Sequence, residues 1–65
     1  MIDVERTWEK FKAICHTEHS GGEYDKVRKG MLIYDLMSSG VSIDEIIKVD
    51  GEIAIAIRRR EALNA

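Results

Sequence analysis

The chain of 65 residues contains no proline and only one cysteine, Cys15. A single cysteine excludes an intrachain disulfide, which favours a reducing compartment. No apolar run approaches the roughly 20 residues that a membrane-spanning helix needs. The charged N-terminus also lacks the apolar stretch of a signal peptide. We therefore expect a cytoplasmic protein that has no membrane partner.

An excess of positive charge is also missing. The formal net charge is −2, and the 34% of residues that are charged carry both signs. General polyanion binders are usually strongly basic, so this balance excludes that class and leaves only local charge for a nucleic-acid contact. The densest basic run is Arg58, Arg59 and Arg60.

The small size of the chain limits its core. A chain of this length buries only about 60% of the surface that its unfolded form exposes, and no disulfide framework compensates here. We expect one domain, residues 1–65, with a core that a homodimer completes. Residues 1–41 would form a helical scaffold for dimerisation, and residues 42–65 would form a separate C-terminal unit.

The first segment has the pattern of an amphipathic helix over residues 4–19. Asp3 is suited to cap its N-terminus. Apolar residues recur at spacings of four, three, three and four, which places them on one face. These residues are Val4, Trp8, Phe11, Ile14 and Cys15.

Cysteine and histidine side chains lie near the end of this helix, at Cys15, His16 and His19. Their spacing matches no recognised metal site, which needs three or four convergent ligands. We favour a buried, unreactive thiol on the apolar face and two solvated histidines near a helix C-terminus, where histidine is electrostatically favoured. No metal or other cofactor is expected.

Residues 23–39 have the pattern of a second helix that is apolar on nearly all sides between Gly30 and Met37. Such a helix is normally buried on several sides. We therefore expect it to be the central helix and also to pack on a second subunit. Gly30 is unfavourable in a helix interior, and close approach of another helix would explain it. Gly40 should end the helix in the left-handed conformation.

The C-terminal unit opens on a capping box, in which Ser42 is followed three residues later by Glu45. The isoleucines that follow indicate a short helix from residue 43 to 49 or 50. Gly51 would stop it, and a second short helix would continue to about Leu63. The sequence therefore predicts an all-α, small four-helix domain with a C-terminal helix-turn-helix, which we expect to be dimeric.

A β-hairpin competes with this interpretation of residues 45–57. Asp50-Gly51 between apolar runs is a strong hairpin signal, and the residues after it alternate strictly. The alternative fold is two helices plus a C-terminal β-hairpin. We favour helices because a capping box needs a helix directly after it and because Ala54 and Ala56 are better helix formers than strand formers.

The run G-E-I-A-I-A-I-R-R at residues 51–59 resembles the turn and recognition helix of tryptophan-repressor-like DNA-binding domains. Gly51, Ile57 and Arg59 match the turn glycine, the inward isoleucine and the operator-facing arginine of that family. The likeness covers about residues 42–60 and departs from the pattern at Asp50 and Glu52, where apolar residues are preferred. It implies DNA binding, but no corepressor.

If the resemblance holds, the second helix of the pair would enter the major groove. The candidate DNA contacts are Ser42, Lys48, Ile55, Ala56, Arg58 and Arg59. Alternatively, arginines in a last helical turn complement the helix dipole and need no ligand. Nearby carboxylates would also repel phosphate.

Two functions follow from these patterns. The first is a small DNA-binding transcriptional regulator of prokaryotic or phage type, which binds double-stranded DNA. The alternative is a non-enzymatic protein–protein interaction module or small inhibitor that docks a protein partner through its apolar, arginine-rich C-terminal unit. We do not expect an enzyme, because no spacing of acidic, histidine or nucleophilic residues marks a catalytic site.

Overall fold

A computed structural model of the chain describes residues 1–64. These residues form three α-helices, α1 (Val4–His19), α2 (Lys26–Ser38) and α3 (Ile43–Leu63), and contain no β-strand. The predicted all-α class is confirmed. The prediction of four helices is wrong because the last two are one helix, and the β-hairpin alternative is also wrong.

Helix α1 has the predicted bounds. The side chain of Asp3 accepts a hydrogen bond from the backbone N–H of Arg6 at 3.1 Å, which caps the first turn. After the helix, Gly21 takes a φ of 85°, a conformation that glycine adopts at little cost. The apolar face of α1 brings Phe11 and Cys15 into the core, where both are fully buried.

Helix α2 is shorter than the predicted range 23–39, since Asp25 caps it. Its end agrees with the prediction. Gly40 takes a φ of 97°, in the left-handed region. The next residue, Val41, donates its backbone N–H to the carbonyl of Leu36 at 3.0 Å and packs against the core. This hydrogen bond closes the end of α2 and directs the chain toward α3.

Helix α3 passes through Gly51 without a turn, so the predicted helix-turn-helix is absent from the structure. The cap at its start is as predicted, because Ser42 Oγ accepts a hydrogen bond from the backbone N–H of Glu45 at 3.2 Å. The helix then runs for 21 residues.

The phase of the apolar residues explains why this helix continues. Ile46, Val49, Ile53 and Ile57 follow one another at spacings of three, four and four, so one helical face passes Gly51 without interruption. Burying each large aliphatic side chain contributes about 1.5–3 kcal/mol. Several such contacts against α1 outweigh the roughly 1 kcal/mol that glycine costs in a helix interior.

Helix α1 lies at the centre of the fold. It packs against both α2 and α3, which make little contact with each other. Trp8 and Glu45 line one surface recess, and Ser20 and Arg60 line another farther along both helices. Helices α1 and α3 therefore run in the same direction. Five apolar side chains are buried where the helices meet: Phe11, Cys15, Leu32, Leu36 and Ile46.

The prediction that the second helix occupies the centre is wrong. Helix α2 buries Leu32 and Leu36, but its opposite face is exposed. Val27, Met31 and Tyr34 belong to the helix that was expected to be buried on several sides, yet they lie on that exposed face. Within residues 1–64, no helix is both long enough and apolar enough to cross a membrane.

The continuous helix makes a testable prediction for Gly51. Alanine at this position should raise the free energy of unfolding by up to about 1 kcal/mol, because alanine favours the helix. Its Cβ would meet no other atom within 4 Å. Urea denaturation measures the change.

Gly40→Ala is the matched control. Its φ of 97° disfavours any side chain, so this variant should lose roughly 1–2 kcal/mol. A comparable loss in Gly51→Ala would show that the chain turns at residue 51 and would contradict the continuous helix.

Candidate functional site

A cluster of charged and polar side chains joins the three helices at one level of the bundle. Its members are Glu18 and His19 of α1, Tyr24 of the following loop, Lys29 of α2 and Asp50 of α3. We call these residues the lysine cluster. It brings together residues that lie up to 32 positions apart in the chain.

The ammonium group of Lys29 is the centre of this cluster. Its Nζ donates hydrogen bonds to Glu18 Oε1 and, at 2.8 Å, to Asp50 Oδ2. On the outer side, His19 Nε2 lies 2.5 Å from Asp50 Oδ1. The hydroxyl of Tyr24 donates to Glu18 Oε2 at 2.9 Å. Each carboxylate therefore has two partners.

Aromatic rings shield the cluster on its inner side. Lys29 Nζ lies 5.9 Å from the ring centroids of both Phe11 and Tyr24, within the range of a cation–π contact. The side chain of Lys29 is only 14% exposed. Because water is partly excluded here, the ion pairs are stronger than pairs on an open surface.

The pKa shifts of the cluster follow from these hydrogen bonds. The bond from Lys29 is the main cause that lowers the pKa of Glu18, against an opposing effect of burial. Burial disfavours the charged form of Asp50, but hydrogen bonds from Lys29 and His19 outweigh it and lower the pKa. Burial likewise disfavours the ammonium of Lys29, whose pKa is nevertheless raised by Asp50 and Glu18. All three groups are held in their charged forms.

Three members of the cluster have donor atoms that a metal ion could bind. Atoms of Glu18, His19 and Asp50 lie within 4.8 Å of one another. One nitrogen and two oxygen donors are compatible with zinc. However, Lys29 already bonds to both carboxylates, so its ammonium supplies the positive charge that an ion would bring. The arrangement fits an internal ion-pair network and does not fit a metal centre while Lys29 stays in place.

The thiol of Cys15 is buried, as predicted from its place on the apolar face of α1. Burial is the main cause that raises its pKa to about 11, and the nearby Asp50 carboxylate adds to the effect. A thiol in this environment stays protonated at neutral pH and is a poor nucleophile. The prediction that both nearby histidines are solvated is wrong for His19, which is half-buried against Asp50.

The six predicted DNA contacts all lie in or at the start of α3, but they do not share one face. Ser42 is the N-cap and lies about 20 Å along the helix axis from Ile55. Lys48, Ile55 and Arg59 are exposed and follow one another at spacings of seven and four, which places them on one stripe.

The other two predicted contacts point elsewhere. Arg58 is exposed and lies about 100° around the helix from Arg59. Ala56 lines a recess between α3 and the end of α1. The structure therefore places the predicted contacts on three sides of one helix, with no partner helix beside them in the helix-turn-helix arrangement.

A recess beside Ala56 lies between the end of α1 and the last turns of α3. It is open to solvent and has a volume of about 520 Å³. Its lining consists of His16, Ser20, Ala56, Ile57, Arg60, Glu61 and Asn64. We call it the C-terminal recess. The lining combines the apolar Ala56 and Ile57 with the cationic Arg60 and the acidic Glu61. Arg60 can pair with an acidic group of a ligand whose apolar groups contact Ala56 and Ile57.

No family model, curated protein or solved structure matches this chain. The resemblance of residues 42–60 to tryptophan-repressor-like domains stays a prediction from the sequence. Function must therefore be inferred from the geometry and charge of the chain itself.

Sequence reasoning missed the two central residues of the lysine cluster. Lys29 precedes the segment of α2 that was expected to be buried, and Asp50 was expected at the end of a short helix before Gly51. Both interrupt apolar stripes at helical spacing, since Lys29 precedes Leu32 by three residues and Asp50 precedes Ile53 by three. A charged residue on a buried face normally has a partner of opposite charge. That signal was present in the sequence.

Removing the central charge should destabilise the fold. Lys29→Met leaves two half-buried carboxylates without their cation and should lower the free energy of unfolding by about 1–3 kcal/mol, less than the loss at a fully buried pair because solvent reaches this site. Urea denaturation at pH 7 measures it. Lys26→Met, which removes an exposed lysine of the same helix, should change stability by less than about 0.5 kcal/mol. Equal stability of both variants and the native protein would contradict a structural role for the cluster.

Acid should weaken the native protein through the same residues. Because the pKa values of Glu18 and Asp50 are lower in the folded state than in the unfolded state, their contribution is present above the unfolded values of about 4 and is lost as pH falls through the folded values. The free energy of unfolding should therefore fall as the pH is lowered from 5 to 2. Lys29→Met should show a much smaller fall or a rise, since protonation then relieves carboxylate repulsion. If the free energy of unfolding fell equally with pH in the native protein and in Lys29→Met, the acid sensitivity would not come from the lysine cluster.

Proposed function

We propose that this protein is a non-enzymatic interaction module that binds a segment of a partner protein in the C-terminal recess. The partner segment carries acidic and apolar side chains. The observation that supports this proposal is the recess itself, in which the apolar Ala56 and Ile57 lie beside the cationic Arg60. This is the sequence-based alternative, docking through the arginine-rich C-terminal unit, with a defined site.

The charge distribution along α3 favours an acidic ligand at this end of the helix. Residues 42–52 contain one lysine and four acidic residues, a net charge of −3. Residues 53–64 contain three arginines and one glutamate, a net charge of +2. The recess therefore lies in the positive half of a helix that belongs to a negatively charged protein. A partner with acidic groups is steered to this half.

The recess is large enough to hold several peptide side chains. A volume of about 520 Å³ is within the roughly 300–1,000 Å³ range of ligand sites. The recess is open, so a bound segment can enter and leave it along the surface. His16 adds a second group that can donate a hydrogen bond to a carboxylate.

The DNA-binding regulator predicted from the sequence is the competing proposal, since Arg58 and Arg59 are exposed. A recognition helix needs several base and phosphate contacts on one face. Here the candidate contacts lie on different faces, and the first half of α3 is acidic. Duplex DNA would meet repulsion along that half, which makes a protein partner the better fit.

Binding to defined probes tests the proposal. The probes are a fluorescent amphipathic peptide of glutamate and leucine, the same peptide with lysine for glutamate, and a random-sequence DNA duplex of 20 base pairs. Fluorescence anisotropy at moderate salt should show binding of the acidic peptide only. Failure of the acidic peptide to bind, or tight binding of the duplex that weakens steeply with salt, would overturn the proposal.

Two pairs of variants locate the binding site. Ala56→Trp fills the recess and should raise the dissociation constant of the acidic peptide at least tenfold. Ala62→Trp adds the same side chain about 120° away on α3 and should leave it unchanged. Arg60→Glu should weaken binding more than Arg59→Glu, which lies outside the recess. Equal effects within either pair would place the binding site elsewhere.

A further inference from the structure

Helix α2 carries a second apolar face that stays exposed within residues 1–64. Val27, Met31 and Tyr34 follow one another at spacings of four and three and are 73%, 63% and 71% exposed. They lie opposite Leu32 and Leu36, which are buried against α1. We call these three residues the outer stripe of α2. Large apolar side chains aligned in this way are typical of an interaction surface.

We propose that the outer stripe is the interface of a symmetric homodimer in which α2 packs antiparallel against α2 of a second copy. This interface is separate from the C-terminal recess and goes beyond the function proposed for it. It gives the homodimer predicted from the sequence a defined surface.

The exposed area of the chain supports this occupant. A compact protein of 7.4 kDa exposes about 4,200 Å². This chain exposes 4993 Å². The excess of roughly 800 Å² over the whole surface is similar to the area that one partner contributes to a standard interface, and the outer stripe accounts for part of it. Within residues 1–64 the core buries only five apolar side chains, so covering the outer stripe would add substantially to the apolar surface that the protein buries.

Gly30 favours a helix as the occupant. It lies beside the outer stripe, and a Cβ added to it would meet no atom within 4 Å. Packing within the chain therefore does not require glycine here, although glycine costs roughly 1 kcal/mol in a helix interior. The absence of a side chain at Gly30 lets a second helix approach closely along this flank of the stripe.

The charges beside the stripe favour the antiparallel orientation. Arg28 and Asp35 lie on the same flank of α2, two helical turns apart. Neither forms an ion pair within residues 1–64. In a symmetric antiparallel pair, each flank faces the same flank of the other copy, which brings Arg28 of each copy to Asp35 of the other. In a parallel pair, Arg28 of one copy would face the other flank of its partner helix. There it would lie near Lys26, which has the same charge, and far from Asp35.

The mass in solution tests the interface. Sedimentation equilibrium of the native protein should give twice 7.4 kDa at micromolar concentration. Met31→Glu should raise the dissociation constant of the dimer at least tenfold, and circular dichroism should show that the helices remain, because Met31 is exposed in the single chain. Ile47→Glu is the matched control, since Ile47 is 62% exposed on α3, and it should stay dimeric.

A charge exchange tests the orientation. Arg28→Asp alone and Asp35→Arg alone should each weaken the dimer, and the double variant should restore it, because the pairs re-form with exchanged signs. A monomeric native protein, or a dimer that Met31→Glu leaves intact, would overturn the interface. A dimer that dissociates in Met31→Glu but is not restored by the double variant would overturn the antiparallel register.

Discussion

The ammonium group of Lys29 holds together two helices that otherwise make little contact. Helices α2 and α3 both pack on α1, and Lys29 joins Glu18 of α1 to Asp50 of α3. A core of five apolar side chains leaves considerable freedom in how two outer helices pivot on a central one. Directional bonds from one largely buried cation to two carboxylates restrict that freedom. In some proteins such ion pairs serve mainly to specify one arrangement, and this cluster has the geometry for that role.

The position of Lys29 also bears on the proposed interaction surfaces. The cluster fixes α3 relative to α1, and the C-terminal recess lies between those two helices, about two to four turns beyond Asp50 along α3. The same bonds fix α2, whose outer stripe lies on the far side. The recess and the stripe are therefore set by one internal contact, although they occupy different faces of the molecule.

Local signals in the sequence were sufficient for much of the fold. The caps at Asp3 and Ser42, the left-handed Gly40 and the apolar face of α1 depend on residues a few positions apart, and all were predicted correctly. The helix break predicted at Gly51 was wrong because the local preference of glycine was given more weight than the longer apolar pattern. Glycine and the Asp-Gly pair suggested a break, whereas the apolar phase from Ile46 to Ile57 ran through it. Burial over several turns decided the outcome.

The candidate site was harder to predict because it depends on contacts between distant residues. A single sequence shows that Lys29 and Asp50 lie on apolar stripes, but not that the stripes meet at the same level. The outer stripe of α2 posed a different difficulty. Its apolar character indicated burial, and the burial expected within the chain did not occur. Periodicity identifies a face that avoids water and leaves open which neighbour covers it.

The parallel course of α1 and α3 has a consequence for the folding kinetics. His19 contacts Asp50, and Trp8 and Glu45 line one recess, so the contacts between these helices join residues about 30 to 40 positions apart. Closing a loop of this length costs conformational entropy before any contact forms. The hairpin of α1 and α2 is local and can form early, whereas docking of α3 depends on distant contacts. We expect this chain to fold more slowly than a three-helix bundle of the same size in which every helix packs against its neighbour in sequence.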